Sequence, residues 1–150
     1  MAIDIEYRPS DTLDEGAWSR SSSGKVYNFG AYAEMVRSFH GHAAPGMIAG
    51  GKMVDIALQH LPQRVLFDVI CETAACLPDA VQLLTPCTIG NGGLKIVRLG
   101  RFALNLYDKH DGEGVRVCVN AGSLDHWPEI KAWFFELKSK GGQDTDKLMH

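Results

Sequence analysis

Apolar positions along the chain change their spacing several times, and each change marks an element. In "NFGAYAEMVRSF" (28–39), Phe29, Tyr32, Met35, Val36 and Phe39 recur every three or four residues, which predicts a helix that Asn28 can cap. The pattern breaks at His40-Gly41-His42. It resumes at Pro45, a residue suited to a first helical position. Met47, Val54, Leu58 and Leu61 then carry a second helix to about His60, and Pro62 ends it. "RVLFDVIC" (64–71) is β-branched and apolar, as a buried strand is. "PDAVQLLT" (78–85) predicts a short helix opened by Pro78 and Asp79. "LKIVRL", "RFALNLYD" and "GVRVCVN" predict three strands. Gly100-Arg101 is expected to turn tightly between the first two, and "KHDGEG" (109–114) to form a hairpin between the second and third. "WPEIKAWFFELKSK" (127–140) predicts a last amphipathic helix stopped by Gly141-Gly142, with Trp127, Trp133, Phe134 and Phe135 as a core or dimer stripe.

This order is α+β rather than a repeating βαβ array. The expected architecture is two N-terminal helices, a mixed β-sheet with an antiparallel meander, and a C-terminal helix. With 150 residues, the chain is read as one domain: an arm over 1–27, a core over 28–140 and a polar tail over 141–150. "SRSSSG" (19–24) makes the arm read as irregular, and the rest of it is expected to be available to pair with a partner subunit.

A net charge of -3 without a basic cluster argues against nucleic acid as a partner. No apolar run approaches the ~20 residues of a membrane helix. The acidic start, "MAIDIEYRPSDTLDEG", lacks the layout of a secretory signal. A cytoplasmic protein is therefore expected.

Candidate chemistry begins at "FHGHAAPGMIAGGKM" (39–53). "GMIAGGKM" (46–53) nearly matches a phosphate loop, but Met53 stands where the magnesium-binding hydroxyl belongs, and a helix, not a strand, precedes it. Gly46 and Gly50 are better read as a close approach of the helix backbone to a neighbour. His40 and His42, if extended, point the same way and can reach one ion. A zinc-like centre needs further ligands, and the candidates are Cys76 and Cys87, then Asp79 or Glu72. Cys71 and Cys118 lie in apolar strands and read as structural. Cys76 and Cys87 flank the short helix in loops, where chemistry tends to be placed. His60, His110 and His126 read as solvated or capping residues.

The combined segments "FHGHAAPGMIAGGKM", "CETAACLPDAVQLLTPCTIGNGGLKIV" and "GRFALNLYDKHDGEGVRV" resemble the E-subunit family of formylmethanofuran dehydrogenase over roughly residues 29–120. The resemblance implies an α+β core, usually dimeric, and an association with molybdenum or tungsten enzymes of one-carbon metabolism. It places His40 and His42 on the family's histidine pair, Cys76 and Cys87 on its two cysteines, and Asp79, Ala80 and Gln82 on its Asp-Ala-x-Gln helix start. Some members add a C-terminal zinc ribbon; no CxxC pair follows residue 120 here, so the core domain alone is expected. The sequence departs from the family pattern at Ala44 (for Cys), Pro86 (for Gly), Asn91 (for Lys) and Gly93 (for Asn).

The expected function is a metal-binding protein of this type, accessory or standalone. Its ligands are His40, His42, Cys76 and Cys87, and its ion is most simply zinc, with iron or nickel alternatives. An open coordination position would polarise water or an unknown small molecule, with Asp79 or a threonine orienting it or moving a proton. Expected partners are a second copy of the chain and a molybdenum or tungsten enzyme subunit. The alternatives are a metal-free assembly module for a partner oxidoreductase subunit, and a thiol redox protein using Cys76 and Cys87.

Overall fold

The computed structural model describes residues 3–7, 17–61 and 65–120. A five-stranded sheet is built from β1 (Ile3–Tyr7), β4 (Phe67–Cys71), β5 (Leu94–Ile96), β6 (Ala103–Asp108) and β7 (Gly114–Val119). Its spatial order is β1-β7-β6-β4-β5. A small antiparallel ladder pairs β2 (Ser19–Arg20) with β3 (Val26–Tyr27). The helices are α1 (Phe29–His40), α2 (Pro45–Gln59) and α3 (Leu77–Leu84).

One sheet face carries the core. Val69 and Cys71 of β4 sit opposite Leu106 and Leu104 of β6, which in turn sit opposite Val115 and Val117 of β7. All six are buried, as the alternation of a half-covered sheet requires. Helix α2 lies over them, burying Met47, Met53, Val54 and Ala57, and α3 adds Leu77, Ala80, Val81 and Leu84. Gly50 lets α3 approach: a Cβ there would stand 3.0 Å from the Cβ of Ala80 and 3.3 Å from Leu77 Cδ1.

Three expectations change. The N-terminal arm is not irregular throughout: β1 pairs in parallel with β7, from Ile3 beside Val115 to Tyr7 beside Val119. Segment 17–27 is pinned too, because Ser19 Oγ donates to the Gly51 carbonyl at 2.8 Å and Trp18 Nε1 to the Ile48 carbonyl at 3.0 Å. The meander is also smaller than expected. Of its three strands only β6 and β7 form a hairpin, because β4 lies between β5 and β6, parallel to the first and antiparallel to the second. Instead of turning tightly at Gly100-Arg101, the chain crosses the end of β4. Val97 N–H donates to the Cys71 carbonyl, and Leu99 and Arg101 N–H both donate to that of Glu72. The third change concerns the His40-Gly41-His42 step, described below. The expected helix over 127–140 lies outside the described residues.

Candidate functional site

The site forms where the end of α1 meets the start of α3. His40 is the last residue of α1, and Gly41 follows in the left-handed region at φ 97°, its N–H returning to the Arg37 carbonyl. That is a glycine helix stop. The histidine pair is therefore not extended, as the sequence suggests. It straddles a helix end, and the two rings nevertheless come to 5.3 Å between centroids, at 41° to one another. His42 is exposed.

Cys76 precedes α3 in an unusual backbone state, φ 60° and ψ -53°, the sole non-glycine residue with positive φ among the described residues. Leu77 N–H donates to the Ala75 carbonyl at 2.6 Å. Those angles and that i to i+2 bond define a γ-turn with positive φ, a rare and strained conformation. The turn ends in a helix start: the Cys76 carbonyl accepts from Asp79 N–H at 3.0 Å and Ala80 N–H at 3.2 Å. The helix dipole at this end favours negative charge on the sulfur.

Asp79, in the first turn of α3, faces His40. Its Oδ2 lies 2.7 Å from His40 Nδ1. A carboxylate only accepts, so Nδ1 carries a proton, and in the neutral ring Nε2 then holds the lone pair. His40 Nε2 lies 3.7 Å from Cys76 Sγ. Gln82 Nε2 donates to the other Asp79 oxygen at 3.3 Å. The resulting array runs Gln82, Asp79, His40, Cys76, with the two central side chains 35% and 16% exposed. Tyr32 borders it: burial, and secondarily the charge of Cys76, raise its phenol, whose hydroxyl donates to the Met47 carbonyl at 2.6 Å.

Cys87 is placed elsewhere. It follows α3, whereas Cys76 precedes it, and the eight residues between Leu77 and Leu84 span roughly 12 Å. Its Sγ contacts the Phe67 carbonyl at 3.4 Å beside a depression lined by Phe67, Asp68, Pro86 and Lys109. Burial raises its thiol. Glu72 is occupied on the far face of the sheet, where Arg116 Nε and Nη2 donate to its two oxygens at 2.7 and 3.2 Å. Burial pushes the Cys71 thiol up to about 12 and also raises that of Cys118. Among the described residues, no three His, Cys, Asp or Glu side chains are grouped as a ready metal site. Two contributors escape a reading of residue types alone. Gln82 enters only through the family resemblance, although its position three residues after Asp79 puts it on the same helix face. Nothing in the sequence points to Tyr32 as a neighbour of Cys76.

A mixed α+β sheet with a Cys, His and Asp array at one helix start defines the class: a small domain with a polar thiol–imidazole centre. The family is shown by the match of residues 39–150 to the family described as FmdE, molybdenum formylmethanofuran dehydrogenase operon, to which the chain belongs. A crystal structure of a tungsten formylmethanofuran dehydrogenase FmdE-like protein from Syntrophus aciditrophicus is 51% identical and superposes with a TM-score of 0.72. The match covers 81% of this chain and 65% of that one. A probable S-adenosyl-L-methionine-binding protein of Archaeoglobus fulgidus is 38% identical over 98 residues. That stretch is 59% of this chain and 26% of the relative, so the chain spans about a quarter of that protein.

Proposed function

We propose that the chain is an accessory or standalone protein of molybdenum or tungsten one-carbon metabolism, working through the Cys76–His40–Asp79 array. In this reading Cys76 Sγ and His40 Nε2 hold a divalent ion, zinc first, and His42 turns in as a third ligand. The carrying observation is the 3.7 Å between Cys76 Sγ and His40 Nε2. Two ligands of a tetrahedral zinc, one sulfur and one nitrogen, stand about 3.6 Å apart. The donor set agrees, because a metal-bound imidazole characteristically gives its other N–H to a carboxylate, the place Asp79 takes. Such a set of three leaves a position open, and the ion would supply Lewis-acid polarisation of water or a small substrate there. Asp79 keeps the imidazole in one tautomer, and Cys76 supplies an anionic donor at a helix start.

The test is metal content of tag-free protein. The expected result is about one zinc per chain, lost in Cys76→Ser and in His40→Ala but kept in Cys87→Ser. Wild-type protein that stays metal-free after reconstitution would overturn the reading.

The strained γ-turn at Cys76 favours a second reading, since such strain clusters at reactive residues. Cys76 would then be a nucleophile. Its thiol proton passes to His40 Nε2, sulfur bonds to an electrophilic carbon, and the leaving group departs with that proton. A covalent Cys76 adduct in metal-free protein, absent from His40→Ala, would support this second reading against the first.

A further inference from the structure

We infer that Gln82 is a positioning residue for the centre: its amide fixes Asp79, hence the His40 tautomer, and ties both to the loop over 86–93. This rests on the reading that His40 Nε2 is the working atom.

The amide is engaged at both ends. Nε2 donates to Asp79 Oδ1 at 3.3 Å, and Oε1 accepts from Ile89 N–H at 3.3 Å. The orientation follows from the partners, because a carboxylate must meet the NH₂ and an N–H must meet the oxygen. Asp79 is partly exposed, so water competes for its oxygens. Gln82 occupies one and leaves the other for His40 Nδ1.

The far anchor is itself built. Asn91 Oδ1 accepts from Thr88 N–H at 3.0 Å and Gly93 N–H at 2.9 Å, while Asn91 Nδ2 donates to the Pro86 carbonyl at 2.6 Å. Those bonds hold the loop so that Ile89 N–H points at Gln82. Asn91 and Gly93, two departures from the family pattern, thus have a local purpose: a Cβ on Gly93 would stand 3.0 Å from Asn91 Oδ1 and 3.2 Å from the Cα of Cys87. Ile89 is 56% exposed. A continuous path of hydrogen bonds therefore runs from a surface loop to the imidazole facing the thiol.

Two variants separate the ends of the amide. Gln82→Glu keeps an acceptor for Ile89 N–H but loses the donor to Asp79, and Gln82→Met loses both. The readouts are the ¹⁵N shifts of the His40 ring in metal-free protein and the zinc affinity, alongside Tm. The expected result is a wild-type ring protonated at Nδ1, a mixed tautomer in both variants, and about tenfold weaker zinc binding. A merely structural glutamine would lower Tm in Gln82→Met and leave the Gln82→Glu ring unchanged, which overturns the inference. Asp79→Ala is the control. If it moves the ring shifts while neither Gln82 variant does, the inference fails and the centre stands. If Asp79→Ala is silent too, both fail.

Discussion

Asp79 Oδ2 meets His40 Nδ1 at 2.7 Å, joining the first turn of α3 to the last residue of α1 across 39 residues of chain. The bond does two things. It ties α1 to α3, and it leaves His40 Nε2 facing Cys76. Exchanging the carboxylate for its neutral isostere separates these effects. On the proposed metal reading, Asp79→Asn is expected to weaken zinc binding by roughly 10- to 100-fold, as losing the carboxylate behind a metal-bound imidazole does. The partly exposed pair contributes little to stability, about 1 kcal/mol or less. Isothermal titration with zinc beside a thermal melt tests this. Unchanged affinity, or a collapse of Tm, would show that the bond serves packing only.

The four cysteines are expected to differ sharply toward alkylation. Burial raises the thiols of Cys71, Cys87 and Cys118, and Cys71 and Cys87 are also closed off from solvent. Cys76 is half-buried at a helix start. A limiting dose of iodoacetamide near neutral pH, followed by peptide mass mapping, is expected to mark Cys76 first. Preferential labelling of Cys87 would return that residue to the centre of the chemistry.

Much of this is legible in the residues. The helix around Tyr32 and Val36, its Asn28 cap and the helix beginning at Pro45 follow from apolar spacing and capping chemistry, and Asn28 does accept from Ala31 N–H at 2.8 Å. What could not be read is non-local. No pattern in "LKIVRL" says that β4 will lie between it and β6, because strand neighbours are chosen by the whole core. Parallel pairing of β1 with β7 likewise joins the two ends of the described chain. At the site, the helix-stop role of Gly41 turns the His40–His42 spacing from extended to helix-end geometry. Cys76 and Cys87 look equivalent as loop cysteines flanking one helix, and only the length of that helix separates them.

Gly51 packs tightly inside α2. A Cβ there would fall 2.3 Å from Cζ of the fully buried Tyr32 ring. Tyr32 cannot yield freely, since its hydroxyl is bonded to the Met47 carbonyl. Gly51→Ala is therefore expected to destabilise by roughly 1–3 kcal/mol, despite the better helix propensity of alanine. Urea unfolding measures it; a gain in stability would mean that the ring moves aside at no cost.

Glu72 contributes to the acid limb of stability. Its bond from Arg116, aided by Asn105, holds its carboxyl below the usual carboxylate range, against the opposing effect of burial. A group whose pKa is depressed on folding stabilises the protein above its unfolded value of about 4.3 and loses that contribution as pH falls through the lower folded value. Glu72→Gln is expected to be less stable than wild type by roughly 1.5–3 kcal/mol at pH 7. The difference should narrow as pH falls from the unfolded value of about 4.3 toward the lower folded one. Urea midpoints measured from pH 7 down to pH 3 test the sign, and a difference that widens in acid would refute it.

The backbone at Cys76 allows the last separation, between strain and function. Serine is normally at least as good a helix N-cap as glycine. At φ 60° and ψ -53°, however, any side chain pays a penalty of order 1–3 kcal/mol that glycine largely avoids. Cys76→Gly is thus expected to melt about 2–4 °C above wild type, for a net gain near 1 kcal/mol. Cys76→Ser should melt below Cys76→Gly, reversing the capping order. On the proposed metal reading, both are expected to lose zinc binding, and with the sulfur goes its thiol reactivity. Removing the sulfur would then raise stability while abolishing chemistry, which is the signature of strain kept for function. If Cys76→Ser proves the more stable of the two, the γ-turn carries no strain, and its position at the start of α3 needs another cause.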